Sequence, residues 1–249
     1  MPDAPLPASR ADVPRPGARA APEVPGIGVW RHLPNTITLL RVVLAGGFFA
    51  VLTPWRFERS PLAHGHSPDW LLLAAVALFA LAAATDALDG YLARRWRVIT
   101  TFGRIMDPFA DKLLIIGGFV YLAGPGFVTA RYRVDDTLGT ASITAVQSWM
   151  VAVVLARELL VTSIRAVFES RGVEFPSNLS GKLKMILQSL CIPAVLLLLN
   201  IPSVWSGTTP GWAGWTIRGL VWTTVAVTAY SGVPYVVQAF RAARAEKRP

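Results

Sequence analysis

The stretch TDALDGYLARRWRVITTFGRIMDPFADKLL, residues 85–114, decides how the chain is read. It carries four aspartates, Asp86, Asp89, Asp107 and Asp111, and apolar runs flank it on both sides. A carboxylate beside hydrocarbon is expensive and marks a working site rather than packing. Asp86 and Asp89 stand three apart, and Asp107 and Asp111 four apart, so each pair shares one helix face. The linker between the pairs contains Gly90 and Gly103, which lets two helix ends turn toward each other. Pro108 suits a first helical turn, where its missing N–H costs nothing. Four converging carboxylates repel one another unless cations sit among them. Hard oxygen donors select Mg²⁺, Mn²⁺ or Ca²⁺ over thiophilic metals. Four of them suit two divalent ions, an arrangement fit for phosphoryl transfer.

Composition sets the surroundings. The chain has 249 residues, 53% hydrophobic and only 16% charged, with mean hydropathy +0.46. Average soluble domains carry about 25% charged residues, so the apolar excess points to a membrane protein. The net charge of +9 directs attention to anionic lipid headgroups or a phosphorylated substrate, ahead of nucleic acid. Cys191 is the only cysteine and lies inside an apolar run, where it reads as a small buried hydrophobe.

Residues 1–29 are rich in Pro and Ala, with few large apolar side chains. Such a segment cannot bury enough surface to fold, and it has no apolar core of a signal peptide. It reads as a disordered cytoplasmic tail. VWRHLPNTI, residues 29–37, reads as a short amphipathic helix on the membrane surface. Apolar stretches then follow at about 36–54, 70–89, 109–124, 146–168, 183–201 and 215–236. A span needs about 20 mostly apolar residues. The expected fold is therefore an all-α integral membrane protein with six transmembrane helices and a polar cavity open to the cytoplasm. Residues 30–240 form the helical domain and 241–249 a basic tail. With both termini inside, seventeen Arg and Lys fall on the cytoplasmic side and five outside. That asymmetry follows the positive-inside rule and puts the aspartates at the inner face.

The spacing Asp86-x2-Asp89-Gly90-x2-Ala93-Arg94-x8-Gly103-x3-Asp107-x3-Asp111 resembles the signature of the CDP-alcohol phosphotransferases at every fixed position. LPNTITLLRVVLAG (33–46), ARELLVTSIRAVFESRG (156–172) and SGKLKMILQSL (180–190) are similar to the phosphatidylglycerophosphate-forming bacterial branch of that family. The likeness runs from about residue 33 to 235. It implies an enzyme of the bacterial inner membrane, acting as a homodimer, that holds CDP-diacylglycerol by its pyrophosphate on two Mg²⁺ or Mn²⁺ ions. An acceptor hydroxyl then attacks the β-phosphorus and displaces CMP. Carried over by position, Asp86, Asp89, Asp107 and Asp111 are the metal ligands, and Asp111 also takes the acceptor's proton. Gly90 and Ala93 leave room for the cytidine, and Arg94 pairs with the phosphates. Asn35, Thr85, Asp86 and Gly103 complete the CDP-binding set.

The acceptor needs its own cations. Arg157 and Arg165 lie eight apart on the fourth span, close to one face, and Lys182 and Lys184 open the fifth. Together they form a basic mouth that would clamp the phosphate of glycerol 3-phosphate and position its hydroxyl. Basic residues near span ends also snorkel to lipid phosphates. Inositol phosphate, or phosphatidylglycerol in a cardiolipin synthase, would use the same chemistry. A reading of another class, a divalent-cation transporter, would place carboxylates near mid-bilayer in repeated broken helices. Here they gather at one surface beside basic residues.

Overall fold

A computed structural model describes residues 33–96, 101–129, 142–170, 179–201 and 211–246. Six α-helices carry the fold: α1 (Leu33–Leu52), α2 (Trp70–Trp96), α3 (Thr101–Leu122), α4 (Ser148–Ser170), α5 (Leu179–Leu199) and α6 (Trp212–Glu246). Among the described residues there is no β-strand, only an isolated bridge between Val128 and Ser142. Residues 1–32, including the expected tail and the start of the expected surface helix, lie outside the described residues.

The chain reverses direction from helix to helix. Arg41 meets Asp86 and Phe48 meets Phe79, which fixes α1 and α2 as antiparallel neighbours. Phe49 stacks on Tyr121, and Thr53 shares a hydrogen bond with the Tyr121 hydroxyl, so α3 runs alongside α1 in the same sense. Close approach has a local cause. A Cβ on Gly117 would collide with the Phe49 ring, and one on Gly118 would come within 2.7 Å of Ile192. Two adjacent glycines thus seat α3 against α1 on one side and α5 on the other. The core is apolar and dense: Phe48, Leu72, Phe79, Phe119, Leu122, Met150, Ile192, Leu196 and Leu199 are all buried.

Each of the six helices also turns large apolar side chains outward, among them Leu39, Val43, Leu71, Leu81, Val120, Leu159, Leu190, Leu197, Trp222 and Tyr230. Exposed apolar area on this scale is uncommon on a soluble monomer. Among the described residues, Ser180–Leu199 and Trp212–Arg241 are long and apolar enough to cross a bilayer. Thr36–Leu52 and Trp70–Asp86 are shorter apolar runs. Pro193 and Pro234 sit inside α5 and α6, as membrane helices tolerate.

Several sequence expectations are corrected in detail. Leu33–Ile37 belong to the first turns of α1 instead of a separate surface helix. Gly90 lies inside α2, which continues to Trp96, and Gly103 lies inside α3. The connection is therefore residues 97–100, which lie outside the described residues. One glycine costs a helix only about 1 kcal/mol, too little to end it among strong helix formers such as Leu92, Ala93 and Arg94. Pro108 stands well inside α3, whose first residue is Thr101. The basic residues Arg241 and Arg244 continue α6.

The end of the bundle opposite the aspartates is tied by one buried carboxylate. Asp69 accepts a hydrogen bond from Trp55 Nε1 (2.9 Å) and caps α2 through the Leu71 amide (2.9 Å). Its own amide donates to Asn200 Oδ1 (2.7 Å), which links the α1–α2 loop to the end of α5. Removing the carboxylate strips a cap and leaves buried donors unsatisfied, so Asp69→Ala is expected to cost about 2–4 kcal/mol. A melt of the detergent-solubilised protein would show the loss, and an unchanged midpoint would refute the strap.

Candidate active site

Two ionic nodes occupy the end of the bundle where α2 runs out of its apolar stretch. The first joins α1 to α2. Arg41 Nη1 lies 2.8 Å from Asp86 Oδ1, with the arginine side chain 1% exposed and the aspartate 53% exposed. The cation is thus sealed in the bundle and the carboxylate sits at its rim. Asp111, on α3, is partly buried and interacts with Asp86 as a like charge, and with Arg41 and Lys184 as opposite ones. The two acidic helices are therefore close enough at this point for their carboxylates to act on each other.

The second node joins α4, α5 and α6. Glu158 accepts from Lys184 Nζ and, at 3.4 Å, from Arg157 Nη1. Arg157 Nε donates to Ser231 Oγ (2.9 Å), and its guanidinium lies over the Tyr235 ring at 5.9 Å. The Arg157 stem packs close to Gly232 of α6, where a Cβ would sit 3.4 Å from it. One turn along α5, Gln188 donates to Thr228 on α6 (3.1 Å). Lys112 donates to Thr162 (2.7 Å), which binds α3 to α4 beside the node. Buried cations so held are oriented as well as neutralised.

Beside the second node lies a small open cleft, lined by residues that include Asp111, Lys112, Glu158, Lys184 and Gln188. A carboxylate of α3 and a lysine of α5 thus share one polar recess in an otherwise apolar bundle. Such a recess can hold a small anionic molecule beside a carboxylate able to accept a proton.

The structure distributes the expected site residues unevenly. Asp111 and Lys184 line the cleft, Arg157 is tied to it through Glu158, and Asp86 acts on Asp111 from α2. Thr85 is half-buried, and its hydroxyl donates to Ala82 of its own helix (2.6 Å). Arg165 and Lys182 are exposed, so the eight-residue spacing on α4 and the pair opening α5 each divide into one buried and one exposed cation. Asn35, Asp89, Gly90, Ala93, Arg94, Gly103 and Asp107 lie in α1, α2 or α3 as backbone. Their side chains lie outside the described residues. Among the described residues, no three His, Cys, Asp or Glu form a metal cage. The donors that are described, two carboxylates from facing helices, are of the hard oxygen type that suits Mg²⁺ or Mn²⁺. Sequence reasoning passed over Arg41, whose signal was a single charge inside an apolar span. It also gave no role to Lys112, Gln188 or Ser231.

The described residues form an all-helical bundle with outward apolar faces and one polar cleft that a carboxylate and a buried cation share. Comparison with known proteins places it. A sequence model of the CDP-alcohol phosphatidyltransferases matches residues 31–230. The Bacillus subtilis CDP-diacylglycerol–glycerol-3-phosphate 3-phosphatidyltransferase is 36% identical over 172 residues, 69% of this chain and 79% of that protein. The corresponding Escherichia coli enzyme is 31% identical over 181 residues, 70% of this chain and 80% of its own. A Streptomyces coelicolor cardiolipin synthase (CMP-forming) is 31% identical over 215 residues, 86% and 85% of the two chains. The chain belongs to the CDP-alcohol phosphatidyltransferase family, and its activity is that of a phosphatidyltransferase. The cation-transporter reading falls with that result.

Removing one partner of a buried ionic node leaves the others uncompensated. Glu158→Ala is therefore expected to destabilise the protein by about 3 kcal/mol. Adding Lys184→Met should recover part of that loss, read by denaturation of both variants. Strictly additive losses would contradict the coupling.

Proposed function

We propose that the protein transfers the phosphatidyl group of CDP-diacylglycerol to glycerol 3-phosphate, giving phosphatidylglycerophosphate and CMP. The observation that carries this choice of acceptor is the buried cation Lys184, which shares a small cleft with Asp111, with the buried Arg157 tied to the same Glu158. A small acceptor bearing a phosphate fits such a recess. The relatives from Bacillus subtilis and Escherichia coli, whose names carry this reaction, support it.

In this reading Asp86, Asp89, Asp107 and Asp111 hold Mg²⁺ or Mn²⁺, two ions for four carboxylates. When bound, these ions would neutralise the pyrophosphate oxygens of the CDP-lipid. Arg94 pairs with the same phosphates, while Asn35, Thr85, Gly90, Ala93 and Gly103 form the bed for the nucleotide. Arg157 and Lys184 hold the acceptor phosphate, with Arg165 and Lys182 at the mouth drawing the anion in. Asp111 accepts the proton from the acceptor hydroxyl as its oxygen attacks the β-phosphorus and the bond to CMP breaks. Glu158 keeps the two cations oriented so that the acceptor is bound in one pose.

All six helices cross the bilayer in this account, with both termini and the cleft on the cytoplasmic side of a bacterial inner membrane. The alternating helix directions, the outward apolar side chains and the inside excess of Arg and Lys support that orientation. Residues 1–29 form a cytoplasmic tail, residues 30–240 the catalytic domain and 241–249 a basic end, and the protein works as a homodimer.

Purified protein given CDP-diacylglycerol, glycerol 3-phosphate and Mg²⁺ or Mn²⁺ is expected to release CMP, and chelation to stop it. Asp111→Asn should lower turnover by at least about 10²-fold with the melting point retained. Lys184→Met should raise KM for the acceptor well above any change in KM for the CDP-lipid. Competition among glycerol 3-phosphate, inositol phosphate and phosphatidylglycerol, with products identified by mass, tests the acceptor. Preferred use of either competitor would overturn the assignment.

A further inference from the structure

Arg41 has no place in the chemistry described above, yet its side chain is among the largest fully buried in the molecule. It rises from an apolar stretch of α1, with the buried Thr38 one turn before it and the buried Ala45 one turn after. Its guanidinium meets Asp86 Oδ1 at 2.8 Å and acts electrostatically on Asp111 of α3. The asymmetry of the contact is informative. Asp86, half exposed, could be solvated without a partner, whereas a sealed guanidinium could not. A chain that needed only to satisfy Asp86 would have no reason to bury a permanent cation to do it. Arginine is also the basic side chain that keeps its charge under all conditions.

We propose that Arg41 is a fixed counter-cation of the aspartate cluster. It holds Asp86 and the α1–α2–α3 junction together when divalent ions are absent, and it weakens divalent binding when they arrive. This inference rests on the proposed role of the aspartates as metal ligands. Two consequences of opposite sign follow. Without Arg41 the ion-free cluster loses its counter-charge and the protein unfolds more easily. The same loss removes a positive charge that opposes the incoming ion and engages one oxygen of Asp86, so the ion binds more tightly.

The test uses the full chain in detergent, with Mn²⁺ binding followed by electron paramagnetic resonance and stability by melting, with and without Mn²⁺. Arg41→Gln is expected to melt lower than wild type in the absence of metal and to gain more from Mn²⁺. Its Mn²⁺ dissociation constant should fall on the order of tenfold. Arg41→Lys, which keeps a cation at the position, should stay within about twofold of wild type, since the charge is what sets the affinity. The double variant Arg41→Gln/Asp86→Asn should regain ion-free stability over Arg41→Gln alone. This arm also covers the case in which the single variant does not fold. Mn²⁺ affinity equal to or weaker than wild type in Arg41→Gln would overturn the proposal, as would a double variant no more stable than the single one. Wild-type protein that binds no Mn²⁺ would overturn the metal reading itself, and this inference with it.

Discussion

Uncompensated charge cannot be kept inside an apolar helical bundle, and this constraint organises the molecule. Charged groups of α1 to α5 meet near one end, and the fold answers with two nodes. Arg41 and Asp86 close the α1–α2 side. Glu158 gathers Arg157 and Lys184 on the α4–α5 side, with Ser231 of α6 completing the arginine's shell. Asp111 of α3 lies between, acted on by both. The cleft exists because neither node can be collapsed into the apolar core without stranding a charge.

The two ends of the bundle divide the labour. At one end Asp69, Trp55 and Asn200 form a hydrogen-bonded strap that ties the α1–α2 loop to the end of α5. It lies about 26 Å along α2 from Asp86, taking about 1.5 Å of rise per residue. Between them the dense aromatic and aliphatic core, with Gly117 and Gly118 letting α3 approach, gives the rigid frame that a positioned site requires. The groups proposed to react are carried on helices, which suits a reaction whose catalysis is mostly placement and charge stabilisation.

Much of this was legible in the sequence, for identifiable reasons. The six apolar runs correspond to the six helices because burial periodicity and length survive without tertiary information. The paired aspartates share helices because three- and four-residue spacings do so in any helix. Helix ends were less legible: Gly90, Gly103 and Pro108 looked like boundaries, yet α2 and α3 run through them among strong helix formers. Arg165 and Lys182 looked equivalent to Arg157 and Lys184, but only the packing of α4 on α6 and α5 decides which cation is buried. Arg41 was hidden by its apolar neighbours, although a lone charge in a span is itself a signal.

The central claim is that carboxylates from α2 and α3 form one divalent-ion site at the end of the bundle. Mn²⁺ titration of the purified protein measures it most directly, with Asp86→Asn and Asp111→Asn compared against wild type. The account predicts saturable Mn²⁺ binding, displaced by Mg²⁺ and weakened in each variant, because one residue from either helix serves the same site. Undiminished binding in both variants would contradict it.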